Sequence, residues 1–451
     1  MTGQPERSPS PSEVGFALNR RTFLLASAAA GGAVVLGACG GDDDKPASTT
    51  AAAGETDSSS EEMSDLGEVT FGSNYSDPKQ VEAIAAAVGT TGLDVKINTV
   101  DHNSYQENFN TYIQQPDDVL CWFAGYRMRA FAGKGVVGDL SDVWGEIEGM
   151  SEGFKNASTA LDGKQYFVPF YFYPWAVHYR KSLFEEKGYE VPTTWDELMA
   201  LAAKMESDGI IPFAAANDGG WPQMGMFDMI NMRTNGYDFH VSLMGGKESW
   251  TDERVAKVFE HWTELLPYYQ PDVNGRTWQD AATALGNKEV GMFLLGTFIT
   301  SNFDNETQAD IIDDITFFSF PEIDPAYGQD AVEAPIDGFM MAKSPKNEAG
   351  AKALLGGMAK AAAIDAFIAI DPSVVAASAD ADTSGYNPLQ QKSAELVGSA
   401  KYISQFLDRD TDPDFASNVV GKGLQDFLSD PSNVATVMQT IEEQKQTYTF
   451  E

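Results

Sequence analysis

Apolar and polar positions alternate in residues 68–75 (EVTFGSNY), which predicts a strand running into a polar turn, and residues 77–92 (DPKQVEAIAAAVGTTG) switch to the apolar spacing of a helix. Residues 93–100 (LDVKINTV) alternate again. Strand, helix and strand within about thirty residues is the unit of a parallel sheet. The rhythm continues: residues 105–115 (YQENFNTYIQQ) read as helix, 117–125 (DDVLCWFAG) as a strand ending in a polar and aromatic loop, and 129–135 (RAFAGKG) as another helical stretch. KQYFVPF (164–170) reads as a strand, and 175–188 (WAVHYRKSLFEEKG) carries the chain through a strand into a helix with Gly188 near its end. Residues 192–209 predict a well-capped helix, with Thr193 or Thr194 as N-cap, Asp196 and Glu197 in the first turn, and Gly209 past the C-terminus. Ligands of open parallel sheets bind outside the carboxyl ends of strands, which directs attention to SNYSD (73–77) and WFAGYRMR (122–129).

The N-terminus departs from this pattern. The apolar run 23–38 follows Arg20 and Arg21 and is shorter than the roughly 20 residues of a membrane span, which fits an export signal of twin-arginine type over residues 1–38. Leu36-Gly37-Ala38-Cys39 resembles the lipobox of bacterial lipoproteins, which implies cleavage before Cys39 and acylation of its thiol. Residues 39–66 are rich in Asp, Ser, Thr, Glu and Ala, bury too little to offset chain entropy, and are expected to be a disordered tether on the extracytoplasmic face of the membrane. No later stretch is apolar enough to span a membrane. The remaining chain of about 385 residues exceeds what one core usually organises, so two lobes are expected.

Within that chain DGK-Y-VP, YRKSLFEEKG and P-TWDEL (residues 162–198), then GNKEVGMFLLGTF (286–298), FFSFPEIDP (317–325) and AKSPKNEAGAKALLGGM (342–358) occur in order. Together they resemble the extracellular solute-binding proteins of ABC sugar importers, in the group of maltose-binding protein. Tyr179-Arg180-Lys181 stands where that family usually has Tyr-Asn-Lys. The resemblance implies an α/β fold of two lobes, each a parallel or mixed sheet flanked by helices, joined by a hinge. Lobe 1 would comprise residues 67–172 and 314–350, and lobe 2 residues 173–313 and 351–451. It further implies a monomeric receptor, without cofactor, that closes on a carbohydrate and delivers it to a membrane permease.

A sugar presents flat C–H faces and a rim of hydroxyls, so its site needs aromatic platforms beside charged or amide hydrogen-bonding groups. Trp122, Phe123, Tyr126 and Arg127 cluster after a strand; one of Trp122 and Phe123 is expected in the core because side chains alternate. The resemblance implies a stacking tryptophan near the first pair and hydroxyl-binding groups at the second. Asn74 and Asp77 stand where the family places polar sugar ligands, Asn74 being preferred because Asp77 serves equally as a helix cap. Trp221 matches a stacking aromatic, whereas Phe298 stands where the family has tryptophan. Tyr173 and Trp175 lie at the hinge, in cleft or core. Asp337 and Gly338 would enter the cleft on a returning strand, and Asp408 and Arg409 either join them or form a surface ion pair.

Charge and composition narrow the alternatives. A formal net charge of −37 repels nucleic acid. With Cys39 acylated, Cys121 has no disulfide partner, so the core alone supports the fold. His102, His178, His240 and His261 are scattered, and neither a Gly-x-Ser-x-Gly elbow nor a His-Glu-x-x-His zinc motif occurs, which argues against an enzyme and against a metal site. The competing readings are the same fold binding a polyamine and an exported glycoside hydrolase.

Overall fold

The structure, a computed structural model, describes residues 66–450; the expected export signal, Cys39 and nearly all of the tether lie outside the described residues. Its strands are β1 (Val69–Ser73), β2 (Val95–Thr99), β3 (Val119–Phe123), β4 (Val168–Phe172), β5 (Trp175–Arg180), β6 (Ile211–Phe213), β7 (Val290–Gly296), β8 (Ile315–Phe318), β9 (Ala331–Glu333), β10 (Ile336–Met341), β11 (Val375–Ala376) and β12 (Tyr402–Ser404). They form a six-stranded sheet of order β11-β4-β10-β3-β1-β2, a four-stranded sheet of order β6-β7-β5-β8, and the pair β12-β9. β1, β2 and β3 are parallel, as the sequence pattern predicts, and β10 returns antiparallel between β3 and β4.

β3, β4 and β7 are buried along their whole length, as strands covered on both faces must be. The helix Pro78–Gly89 turns Ala83, Ile84, Ala87 and Val88 inward and packs on the helix Ala361–Ile368. Against β6 lies the helix Trp195–Ser207, where Thr194 forms the expected capping box with Glu197. Gly209 past its end takes φ +79, where glycine is unstrained.

Two expected boundaries are corrected. Residues 315–318, assigned to lobe 1 from the resemblance, form β8, the edge of the second sheet beside β5. Residues 351–376, assigned to lobe 2, pack on the first sheet: the helix Glu348–Met358 lies against β1, β3 and β10, and β11 pairs with β4. The chain crosses between the sheets at Tyr173-Pro174, again between β8 and β10, and a third time after β11. The pair β9-β12 lies beside these crossings and joins the second and third.

Candidate ligand-binding site

A cavity of about 140 Å³ opens between the two sheets, lined by residues that follow β1 (Asn74 to Asp77), β2 (Asp101 to Asn103, and Gln106), β6 (Asp218, Trp221) and β7 (Phe298), together with Tyr173 and Trp175 of the crossing. The rule for open sheets therefore holds at β1. At β3 it holds only indirectly. Trp122 is buried and stacks on Phe109 at 3.6 Å between ring centroids; Phe123 is buried beneath the guanidinium of Arg409 at 4.0 Å. Both rings are thus core, although alternation assigns one of them to the cleft. Residues 126–133 form a helix rather than a loop, and Tyr126 points away from the cavity, its hydroxyl 3.5 Å from the Thr449 carbonyl.

The cavity floor carries a network of largely buried charge. Arg409 donates to the Asp337 carboxylate at 2.7 Å and to the Tyr173 hydroxyl at 2.9 Å; Arg127 donates to Asp408 at 3.0 Å and to Gln106 at 2.6 Å. Asp408 and Arg409 are therefore a buried cluster, not a surface pair. Burial drives the Asp337 carboxyl above its usual range, with Arg409 opposing. Burial disfavours the Arg409 cation too, but Asp337, Tyr173 and Asp408 more than offset this and raise its pKa. Arg127 lies one layer back, its guanidinium 5.0 Å and 5.1 Å from the rings of Trp122 and Phe123, and it positions Asp408 and Gln106 instead of lining the cavity. Gly338 is absent from the lining as well: a Cβ there would stand 2.1 Å from the Val168 carbonyl oxygen, so glycine serves the close approach of β4.

Phe298 sits at the centre of the aromatic wall. Its centroid lies 5.1 Å from that of Tyr173, 5.2 Å from Trp278, 6.2 Å from Trp221 and 6.4 Å from Trp175, the Tyr173 and Trp278 contacts being edge-to-face. Trp221 reaches across to the other lobe, its indole N–H donating to Asn103 Oδ1 at 3.3 Å. Trp175 and Asp408 both line the cavity; the Trp175 indole nitrogen is buried without a hydrogen-bond partner among the described residues, and Asp408 Oδ1 lies 3.8 Å from Arg409 Nε.

The sequence reading missed His102, Asn103, Gln106 and Trp278. The first three belong to the loop and short helix after β2, which the rule for strand ends could have flagged; for Trp278, within a helical pattern, no such signal exists. His102 Nε2 lies 2.6 Å from Gln106 Nε2, so it accepts from that amide, and burial with the nearby Arg409 and Arg127 lowers its pKa to about 4. His102 is consequently neutral at pH 7. Because its folded pKa lies below the unfolded value, the unfolded state binds more protons between pH 6.5 and 4, and the stability this residue contributes is lost as pH falls through that range. His102→Gln should remove that part: relative to it, the wild type should lose about 1 kcal/mol between pH 6 and pH 5 in urea denaturation.

The family model for bacterial extracellular solute-binding proteins matches residues 72–364. The chain belongs to this family. Among solved structures, the bacterial solute receptor AcbH, described as exclusively preferring β-D-galactopyranose, is 44% identical with a TM-score of 0.82, covering 85% of this chain and 99% of that one. An ABC transporter extracellular-binding protein of Pyrococcus horikoshii is 25% identical over 293 residues, 64% of each chain. The diacetylchitobiose binding protein NgcE of Streptomyces coelicolor is 25% identical over 244 residues, 52% of each. The matches thus span between half and two thirds of these curated relatives' length. Among the described residues of this solute-binding protein, no helix is long and apolar enough to cross a membrane, and no group of three or more His, Cys, Asp and Glu could hold a metal ion.

Proposed function

We propose that the protein is a monomeric, lipid-anchored extracytoplasmic receptor that captures a carbohydrate between its lobes, without chemical change, and delivers it to an ABC permease. The single observation that carries this reading is the cavity: an aromatic wall of Trp175, Trp221, Trp278 and Phe298 from the second lobe shares it with the charged and polar groups Asn74, Asp337, Asp408 and Arg409. The likeness to AcbH supports a single pyranose as the ligand. The mutual contacts of Trp221, Trp278 and Phe298 also support it, because they close the wall on itself instead of extending it as a platform for several rings. Asp337 and Asp408 already face Arg409 and Arg127, which weighs against a polyamine. The lipobox at Cys39 supports the anchor, and Arg20 with Arg21 supports export by the twin-arginine route.

Calorimetric titration with D-galactose, other monosaccharides, oligosaccharides and polyamines tests the proposal. Binding of one sugar class near micromolar affinity, with the sugar recovered intact, is the expected result; binding only of polyamines, or hydrolysis of an oligosaccharide, would send the site to one of the competing readings. Trp221→Ala should weaken sugar binding about tenfold, as loss of one aromatic wall residue does, while thermal melting of the unliganded protein stays nearly unchanged. A large drop in melting temperature at constant affinity would make Trp221 a packing residue.

A further inference from the structure

Away from the cavity floor, the seam between the lobes holds a cation and a carboxylate that share one edge without pairing. Lys79 stands at the start of the helix Pro78–Gly89, which packs on the first sheet. Its ammonium crosses to the second lobe, donating to the Phe303 carbonyl and, at 3.0 Å, to Asn305 Oδ1. Asn305 returns the contact through its amide, which donates to the Ile370 carbonyl of the first lobe at 2.8 Å. The next residue, Asp371, is 1% exposed; Ser373 is its hydrogen-bonding neighbour, and no cation forms an ion pair with it among the described residues. A buried carboxylate in that condition is costly unless a cation can reach it.

We propose that Lys79 is an affinity-setting latch that exchanges partners between the two lobes: it holds Phe303 and Asn305 when the cleft is shut and pairs with Asp371 of its own lobe when the cleft opens. The exchange explains both halves of the observation. In the shut arrangement Lys79 is committed across the seam and Asp371 is left buried beside Asn305. Burial pushes the Asp371 carboxyl up to about 6, with Ser373 and Lys79 pulling it back and Asp77 adding to the rise. In the open arrangement the same carboxylate regains water and the cation, so opening is favoured by what closing withholds. Neither side chain belongs to the aromatic wall, so the latch acts on the equilibrium between open and shut forms, and only through it on the ligand.

The inference rests on the receptor reading for its binding consequence but not for its geometry, and two measurements separate them. Spin labels at the exposed positions Glu82→Cys and Glu260→Cys, in the full chain carrying Cys39→Ser, report the distance between the lobes without any ligand. Lys79→Met should enlarge the long-distance population and Asp371→Asn the short-distance one. With D-galactose as probe in stopped-flow experiments, Lys79→Met should release the sugar about fivefold faster, as loss of one partly exposed charged hydrogen bond does, and Asp371→Asn should release it more slowly. Unchanged distances in both variants, or a shift to longer distance in Asp371→Asn, would overturn the latch. Distances that shift as stated while the sugar fails to bind the wild type would support the latch and sink the carbohydrate reading.

Discussion

Arg409→Met is expected to cost about 3–5 kcal/mol of folding stability at pH 7 and to abolish measurable ligand binding, because removing one partner of a buried pair leaves the other charge uncompensated. Methionine keeps much of the packing over Phe123 but withdraws the donors that Asp337 and Tyr173 receive. The sign of the pH response separates charge from shape. Asp337 already has a raised pKa in the folded protein and loses the cation that opposes the rise. A carboxyl whose folded pKa exceeds its unfolded value binds more protons when folded, so the variant's stability should fall as pH rises above about 4 and should partly recover at pH 5. Urea denaturation of both proteins at pH 5 and pH 7 checks this. A loss that is the same at both values would assign the effect to packing alone.

The second large effect concerns a residue without a functional group. Gly338→Ala places a methyl group 2.1 Å from the Val168 carbonyl oxygen and 2.7 Å from the Phe167 ring. The first of these is backbone, so β4 or β10 must move. Overpacking of this kind costs about 1–3 kcal/mol, and the upper end is expected where backbone cannot yield. Because the register between β10 and β4 already shifts between Asp337 and Gly338, the displacement should also carry Asp337 away from Arg409. The variant should therefore lose ligand affinity along with stability, measured by calorimetry and thermal melting. Full affinity in a destabilised variant would show that β10 absorbs the methyl without moving Asp337.

Both residues show where sequence reasoning stops. Asp337, Gly338, Asp408 and Arg409 could be picked out as chemistry-bearing positions, but their contacts depend on strands far apart in the chain: Asp337 faces Phe123 across one ladder and Tyr171 across the other. Local periodicity located β1, the helix Pro78–Gly89, β2 and β3 well because each is specified by its own neighbours in sequence. It misplaced the helix that begins at Tyr126, since Gly125 takes φ +80 and turns the chain before the loop that the aromatic run suggests. Alternation assigns only one of Trp122 and Phe123 to the core, but β3 is covered on both faces, Trp122 by Phe109 and Phe123 by the Arg409 guanidinium. The aromatic wall was legible except for one residue. Trp221, Tyr173, Trp175 and Phe298 follow strands or a crossing, whereas Trp278 stands on a helix and reaches the cavity only through the packing of that helix on β7.

The position of β10 has a consequence for the order in which the protein can form. It fills the gap between β3 and β4 from about 210 residues further along the chain than β3, and β11 closes the edge later still. At roughly 5–20 residues per second, a ribosome needs about 10–40 s to supply it. During that interval β3 and β4 have no strand between them to pair their inner edges, and the first lobe is a fragment whose halves cannot yet meet. The four strands of the second sheet are complete by residue 318, before β10 is made. The sheet that begins the chain is thus closed after the second sheet is complete, and its long-range pairing is of the kind that slows folding.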